Sequence, residues 1–224
     1  MSSQNFLKER PYLYAILSVI ALITFYPLFF TGIATADDLH YCIIAQRGIV
    51  WEDTLLFAKL NGRFYFYIVK VFFSIAFFVN DPLFTKTLHF LPVFLCILVF
   101  WRLLKLISES DALPALFFLL FMVTMQISRH TSLFVAYPFY FSFSFFLLLW
   151  SYYQLLVYLK NGRKRHWIAS SILFALGLLF YEPYLLFVLF AALAIGADRL
   201  IASGPVRARL KQALVRITPY ILVA

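Results

Sequence analysis

Apolar blocks separated by short polar breaks organise this chain. Residues 12–30 carry no charge, and the block 11–31 is long enough to cross the roughly 30 Å hydrocarbon layer as a helix. Apolar blocks at 83–101, 113–127, 139–159, 167–181 and 184–195 predict further crossings. A second basic loop with Arg199, Arg207, Arg209, Lys211 and Arg216 is read as cytoplasmic, and residues 217–224 then begin another apolar run of eight residues, where a crossing needs about 20. The breaks are turn signals: Gly48, Asn61-Gly62, Asn80-Asp81-Pro82, Gly162 and Glu182-Pro183. Pro114 falls in the first turn of its block, where a missing N–H costs nothing.

Between the first two crossings, residues 32–63 predict two short helices. Asp37 or Asp38 caps the first, Leu39, Cys42, Ile43 and Gln46 follow at helical spacing, and Gly48 stops it. The second runs from Trp51 or Glu52 to Leu60 and ends at Asn61-Gly62. Both are too short and too polar to cross and belong at the interface. Residues 64–78 are apolar apart from Lys70, so they either span or re-enter. If they span, Arg102, Lys105 and the basic run 160–165 all lie outside; if they re-enter, every one lies in the cytoplasm. Lys and Arg are retained on the cytoplasmic side of short loops, which selects re-entry. Residues 133–140 read as a second re-entry at the outer face.

Composition agrees: 64% of the 224 residues are hydrophobic and 13% charged, against about 45–50% and 25% in soluble domains. The expected fold is an all-α polytopic membrane protein, with about six transmembrane helices plus the start of a seventh. Two or three short juxtamembrane helices occupy the first extracytoplasmic loop, 32–82. Residues 1–224 form one transmembrane domain, read as the N-terminal part of a longer protein. Lys8 and Arg10 place the N-terminus in the cytoplasm, and the chain is expected in the cell (inner) membrane as a multi-pass protein. The net charge of +9 then reflects topology and contact with membrane lipids, not nucleic acid. Ala34-Thr35-Ala36 mimics a signal-peptidase site, but the apolar run before it is too long for a signal peptide and predicts an uncleaved span. Cys42 falls in the loop and Cys96 in a span, so no disulfide is predicted.

Candidate chemistry concentrates on the predicted outer face. Asp37-Asp38 emerge where the first crossing ends. Such a pair either caps a helix or supplies a base with a second carboxylate to orient a partner or metal. His40 lies two residues on, without the second ligand that a metal motif needs. Arg63 either snorkels to headgroups or presents its planar fork to a phosphate or carboxylate. Arg129-His130 is a basic pair on the predicted outer side, against the charge rule, and either binds phosphate, anchors at the interface or pairs with an acid. Glu182 is either a wet turn or a carboxylate lining an outer cavity. There is no Walker loop, no serine-nucleophile elbow and no His-Glu-x-x-His helix. No periodic charges lie inside the spans as an ion pathway would require.

An acidic pair and aromatic at 35–41, Asn61-Gly62-Arg63-Phe64, Ala136-Tyr137-Pro138 before a span, and an apolar run from Gly177 ending in Glu182 occur in this order along nearly the whole chain. In that order the chain resembles the GT-C class of membrane glycosyltransferases, and within it the bacterial O-antigen glucosyltransferase-like membrane proteins. The resemblance implies a polyprenyl-phosphate-linked sugar donor, a glycan or lipid acceptor in the cell envelope, and transfer on the extracytoplasmic face. It implies Asp37 or Asp38 as base with the other as orienter, and Arg63, Arg129 and His130 on the lipid phosphate. His40, Tyr137 and Glu182 are expected to bind sugar or acceptor, and a divalent cation, Mg or Mn, is compatible with the class. The alternatives are a non-catalytic subunit that binds lipid-linked sugar, a flippase, or a transporter-like or structural module; these do not need the Asp pair for turnover.

Overall fold

The computed structural model describes residues 11–26, 43–44, 46–61, 82–124, 140–180, 182–201 and 205–223. Every α-helix among them begins or ends at a residue with a local reason. α1, Pro11–Phe25, opens on a proline, whose missing N–H is one of the unbonded first-turn donors anyway. Pro27 lies two residues beyond its end, and a residue before proline is pushed out of the helical region. Gly48 is left-handed at φ 69°, and Arg47 N→Ile43 O at 3.0 Å and Ile49 N→Ile44 O at 3.2 Å close the turn around it, the stop predicted there. α2, Val50–Asn61, carries Glu52 and Asp53 in its first turn and Lys59 in its last, matching the helix dipole, and ends at the predicted Asn61-Gly62 break.

α3, Pro82–Ser108, runs 27 residues, seven past the apolar block, because Arg102 to Leu106 are strong helix formers. It stops at Glu109, left-handed at φ 55°, whose N–H donates to Lys105 O at 2.9 Å. α4, Ala112–Thr124, follows three residues later. α5, Tyr140–Asn161, ends at Gly162, left-handed at φ 68°, whose N–H donates to Tyr158 O at 2.7 Å. That tight closure lets α6, Lys164–Phe180, start at once, so the expected basic loop shrinks to Gly162-Arg163 and its remaining charges form the first turn of α6. A 3-10 helix, Glu182–Phe187, then leads into α7, Val188–Ile201.

The last element corrects the reading of a cytoplasmic basic loop followed by a new span. Arg207, Arg209, Lys211 and Arg216 lie in one helix with 217–223: α8, Val206–Val223. From Val206 to Thr218 it contains no glycine or proline and is rich in Ala, Leu, Arg, Lys and Gln, so nothing local breaks it. Ala213, Ile217 and Tyr220, at helical spacing, turn one face onto the bundle core.

α5 is the hub. One face packs Phe146, Leu147 and Leu149 against Val99 and Leu103 of α3 and Phe180 of α6. The other packs Leu148 and Leu155, both fully buried, against Phe174 and Leu178 of α6, Ala191 and Ile195 of α7, and Tyr220 of α8. Ser144 facing Gly177 and Ser151 facing Ser170 set α5 and α6 antiparallel. Cys96 facing Ser142 and Leu106 facing Lys160 set α3 and α5 parallel. Phe100–Phe117 and Lys105–Asp111 set α4 antiparallel to α3.

Among the described residues every regular element is helical. Leu91–Ser108 and Ser142–Asn161 are long and apolar enough to cross a membrane; α1 and α4, and residues 185–198, are shorter apolar helices.

Candidate functional site

Of the residues singled out in the sequence, Asp37, Asp38, His40, Arg63, Arg129, His130 and Tyr137 lie outside the described residues, as does the stretch 64–79. Glu182 opens the 3-10 helix, and its main chain alone is described.

The described helices fix what surrounds Glu182. Two residues earlier α6 ends at Phe180, whose ring packs edge-on against Phe143 of α5 at 5.3 Å. Ser144 Oγ donates to Gly177 O at 2.9 Å, and the Cys96 thiol of α3 donates to Ser142 O at 3.2 Å. The end of α6 thus lies level with the start of α5. α4 runs toward this same end, because Phe117 meets Phe100 and Phe121 shares a cavity with Cys96. Glu182 and the helix ends bracketing residues 125–139 therefore share one end of the bundle.

The opposite end gathers charge from α3, α5, α6 and α8. Lys105 Nζ lies 2.8 Å from Asp111 Oδ1, and the Asp111 side chain is only 2% exposed. That oxygen meets no other partner among the described residues. Lys160 Nζ bonds Leu106 O at 2.9 Å and Glu109 Oε1 at 3.0 Å, capping the C-terminus of α3 with a cation as its dipole favours. Arg216 reaches Asp198 at 3.3 Å and lies 5.0 Å over the Tyr158 ring. His166 Nδ1 lies 2.7 Å from Gln154 Oε1, and Trp167 Nε1 donates to Arg216 O at 3.1 Å. Arg163, Lys164 and Arg165 are exposed here.

Two interior features escaped the sequence reading. The first is a hydroxyl cluster: Ser151, Ser170 and Tyr220 are buried and joined across α5, α6 and α8. Ser144, Ser151 and Tyr158 are seven residues apart, so they share one face of an otherwise apolar helix; that period was the available signal. The second is an apolar cavity of about 260 Å³ between α3, α4 and α5, lined by Phe100, Trp101, Phe117, Phe118 and Phe145 among others. Among the described residues no three His, Cys, Asp or Glu side chains gather as a metal site. No family model, no curated protein and no solved structure matches the chain.

Proposed function

We propose that the chain is a multi-pass membrane glycosyltransferase of the GT-C kind, moving a sugar from a polyprenyl-phosphate donor to an envelope glycan or lipid on the extracytoplasmic face. The observation that carries it is the acidic pair Asp37-Asp38 directly after an uncharged run of membrane length.

Three features of the fold support the membrane part of this reading. Large apolar side chains point outward along several helices, among them Leu98, Leu120, Ile172, Leu176, Leu189 and Leu193. Soluble monomers rarely expose apolar patches above a few hundred Å², whereas lipid tails welcome them. The two helices of membrane length run parallel, so if both cross, the chain between them must cross back, and α4 is antiparallel to both. The described basic clusters share one end, as the positive-inside rule requires of a cytoplasmic face. Glu182 belongs to the other end, which accords with an outer site.

The chemistry follows from the residue types. One carboxylate of the pair takes the proton of the acceptor hydroxyl as its oxygen bonds the anomeric carbon. The bond from that carbon to the lipid phosphate breaks through an oxocarbenium-like state. The phosphate leaves with the bonding electrons and needs positive charge more than a proton, a role for Arg63, Arg129 and His130. His40, Tyr137 and Glu182 would hold sugar or acceptor hydroxyls, and a Mg or Mn ion is compatible with the carboxylates. The test is transfer from radiolabelled polyprenyl-phosphate sugars in membranes, comparing wild type with Asp38→Asn at equal expression. The expected result is transfer that collapses in the variant; equal transfer by both makes the pair a helix cap and removes the assignment.

A further inference from the structure

The first half of α8 breaks two local rules at once. Its first two turns carry Arg207, Arg209 and Lys211 and no acidic residue. Positive charge at a helix N-terminus opposes the helix dipole, and stabilisation there comes from acids. Arg207 and Lys211 also stand at i and i+4, where like charges repel. Both are exposed, and neither has an ion-pair partner among the described residues. The contrast is Arg216 on the same helix, paired with Asp198 and laid over Tyr158.

An apolar strip adjoins these charges. Val206, Leu210 and Leu214 are exposed, at 59%, 59% and 64%, and helical spacing sets Leu210 and Leu214 beside Arg207 and Lys211. Trp167 bonding Arg216 O and Ser170 bonding Tyr220 run α8 parallel to α6. α8 therefore begins about two turns beyond the first residue of α6, past the end that already exposes Arg163, Lys164 and Arg165.

We propose that the N-terminal half of α8 is a binding surface for anionic phospholipid headgroups, with Arg207 and Lys211 on the phosphates and Leu210 and Leu214 set into the acyl boundary. A negative lipid layer offsets both the dipole mismatch and the like-charge repulsion, and a basic helix with an adjoining apolar strip is the composition of an interfacial helix. This departure from local consistency marks a functional surface. The inference rests on the membrane reading and is independent of the transferase reading.

The experiment is a lipid titration of the full chain in neutral detergent, with bound lipid counted by native mass spectrometry. Phosphatidylglycerol is compared with phosphatidylcholine for wild type, Arg207→Gln/Lys211→Gln and Arg163→Gln/Arg165→Gln. Wild type is expected to prefer phosphatidylglycerol, and the α8 pair to lose roughly tenfold or more of that preference. Arg207→Lys, which keeps the charge, should retain it, and unchanged melting in phosphatidylcholine shows that the α8 pair is folded. Equal binding of both lipids by wild type, or loss in the Arg163/Arg165 pair with the α8 pair unaffected, overturns the proposal. So does capture of a fluorescent oligonucleotide without any lipid preference. A chain that stays soluble without detergent would instead defeat the membrane reading itself.

Discussion

Ser151 and Ser170 clasp each other across the α5–α6 interface. Ser151 Oγ donates to Ser170 O at 2.8 Å and Ser170 Oγ donates to Ser151 O at 2.7 Å. Each hydroxyl has one proton, and both are spent on carbonyls. The 3.1 Å approach of the two Oγ atoms is therefore contact without a proton between them. It also follows that Tyr220 is the donor in its 2.6 Å bond to Ser170 Oγ.

This proton count ranks two substitutions. Ser170→Ala removes the side-chain donor to Ser151 O and the Ser170 acceptor of the buried Tyr220 hydroxyl, at a cost of about 1–3 kcal/mol. Tyr220→Phe leaves both serine donations intact and should cost about 0.5–1.5 kcal/mol. Thermal unfolding in detergent should place Ser170→Ala below Tyr220→Phe. The double variant should fall short of the sum, because the two share one bond. Equal single effects and strict additivity would contradict the assignment of Tyr220 as donor.

Gly177 sets the closeness of α5 and α6. A Cβ there would meet Leu148 Cγ at 3.3 Å and Ser144 O at 3.5 Å. Replacing a helical glycine by alanine gains about 0.8–1 kcal/mol of propensity, which the small displacement of Leu148 largely offsets. Gly177→Ala should melt close to wild type. Gly177→Leu must push the fully buried Leu148 aside, and overpacking costs about 1–3 kcal/mol. A leucine variant as stable as wild type would show that the helices are free to separate.

Lys105 and Asp111 are unequal partners. The ammonium is 48% exposed and the carboxylate 2%. Lys105→Met leaves the buried carboxylate without this cation, whereas Asp111→Asn takes the carboxylate from a lysine that is half-exposed. Screening by solvent at the exposed lysine brings the first cost to roughly 1–3 kcal/mol, and the second should be smaller. Melting temperatures in that order bear this out; the reverse order would contradict the unequal burial of the pair as the cause.

Topology is tested by impermeant thiol labelling in intact cells. In a background with Cys42→Ser and Cys96→Ser, a cysteine at Arg163 should be protected and one at Glu182 labelled. Serine suits the exchange at Cys96, since its hydroxyl can donate to Ser142 O as the thiol does. Labelling of both positions from outside would break the multi-pass proposal.

Some of this fold was legible locally. Gly48 and Gly162 end helices where the sequence marked a break, because a left-handed turn depends on glycine and little else. The apolar blocks at 83–101 and 139–159 became the cores of α3 and α5 for the same local reason. The continuity of α8 was misread, because charge density suggested a loop while helix propensity, which tolerates Arg and Lys, kept the helix intact. Of the candidate site, the residue types and their order along the chain were readable, and only the main chain of Glu182 has a place among the described residues.

Helix content, the apolar blocks and the excess of basic residues were readable from composition and from period along one chain. Tertiary packing settled which faces meet. It paired Ser151 with Ser170, brought Tyr220 to both, set α3 parallel to α5, and left Arg207 and Lys211 without a partner among the described residues. Such relationships depend on the relative rotation and depth of separate helices. Those are set by close packing between residues far apart in the chain, and no local pattern carries them.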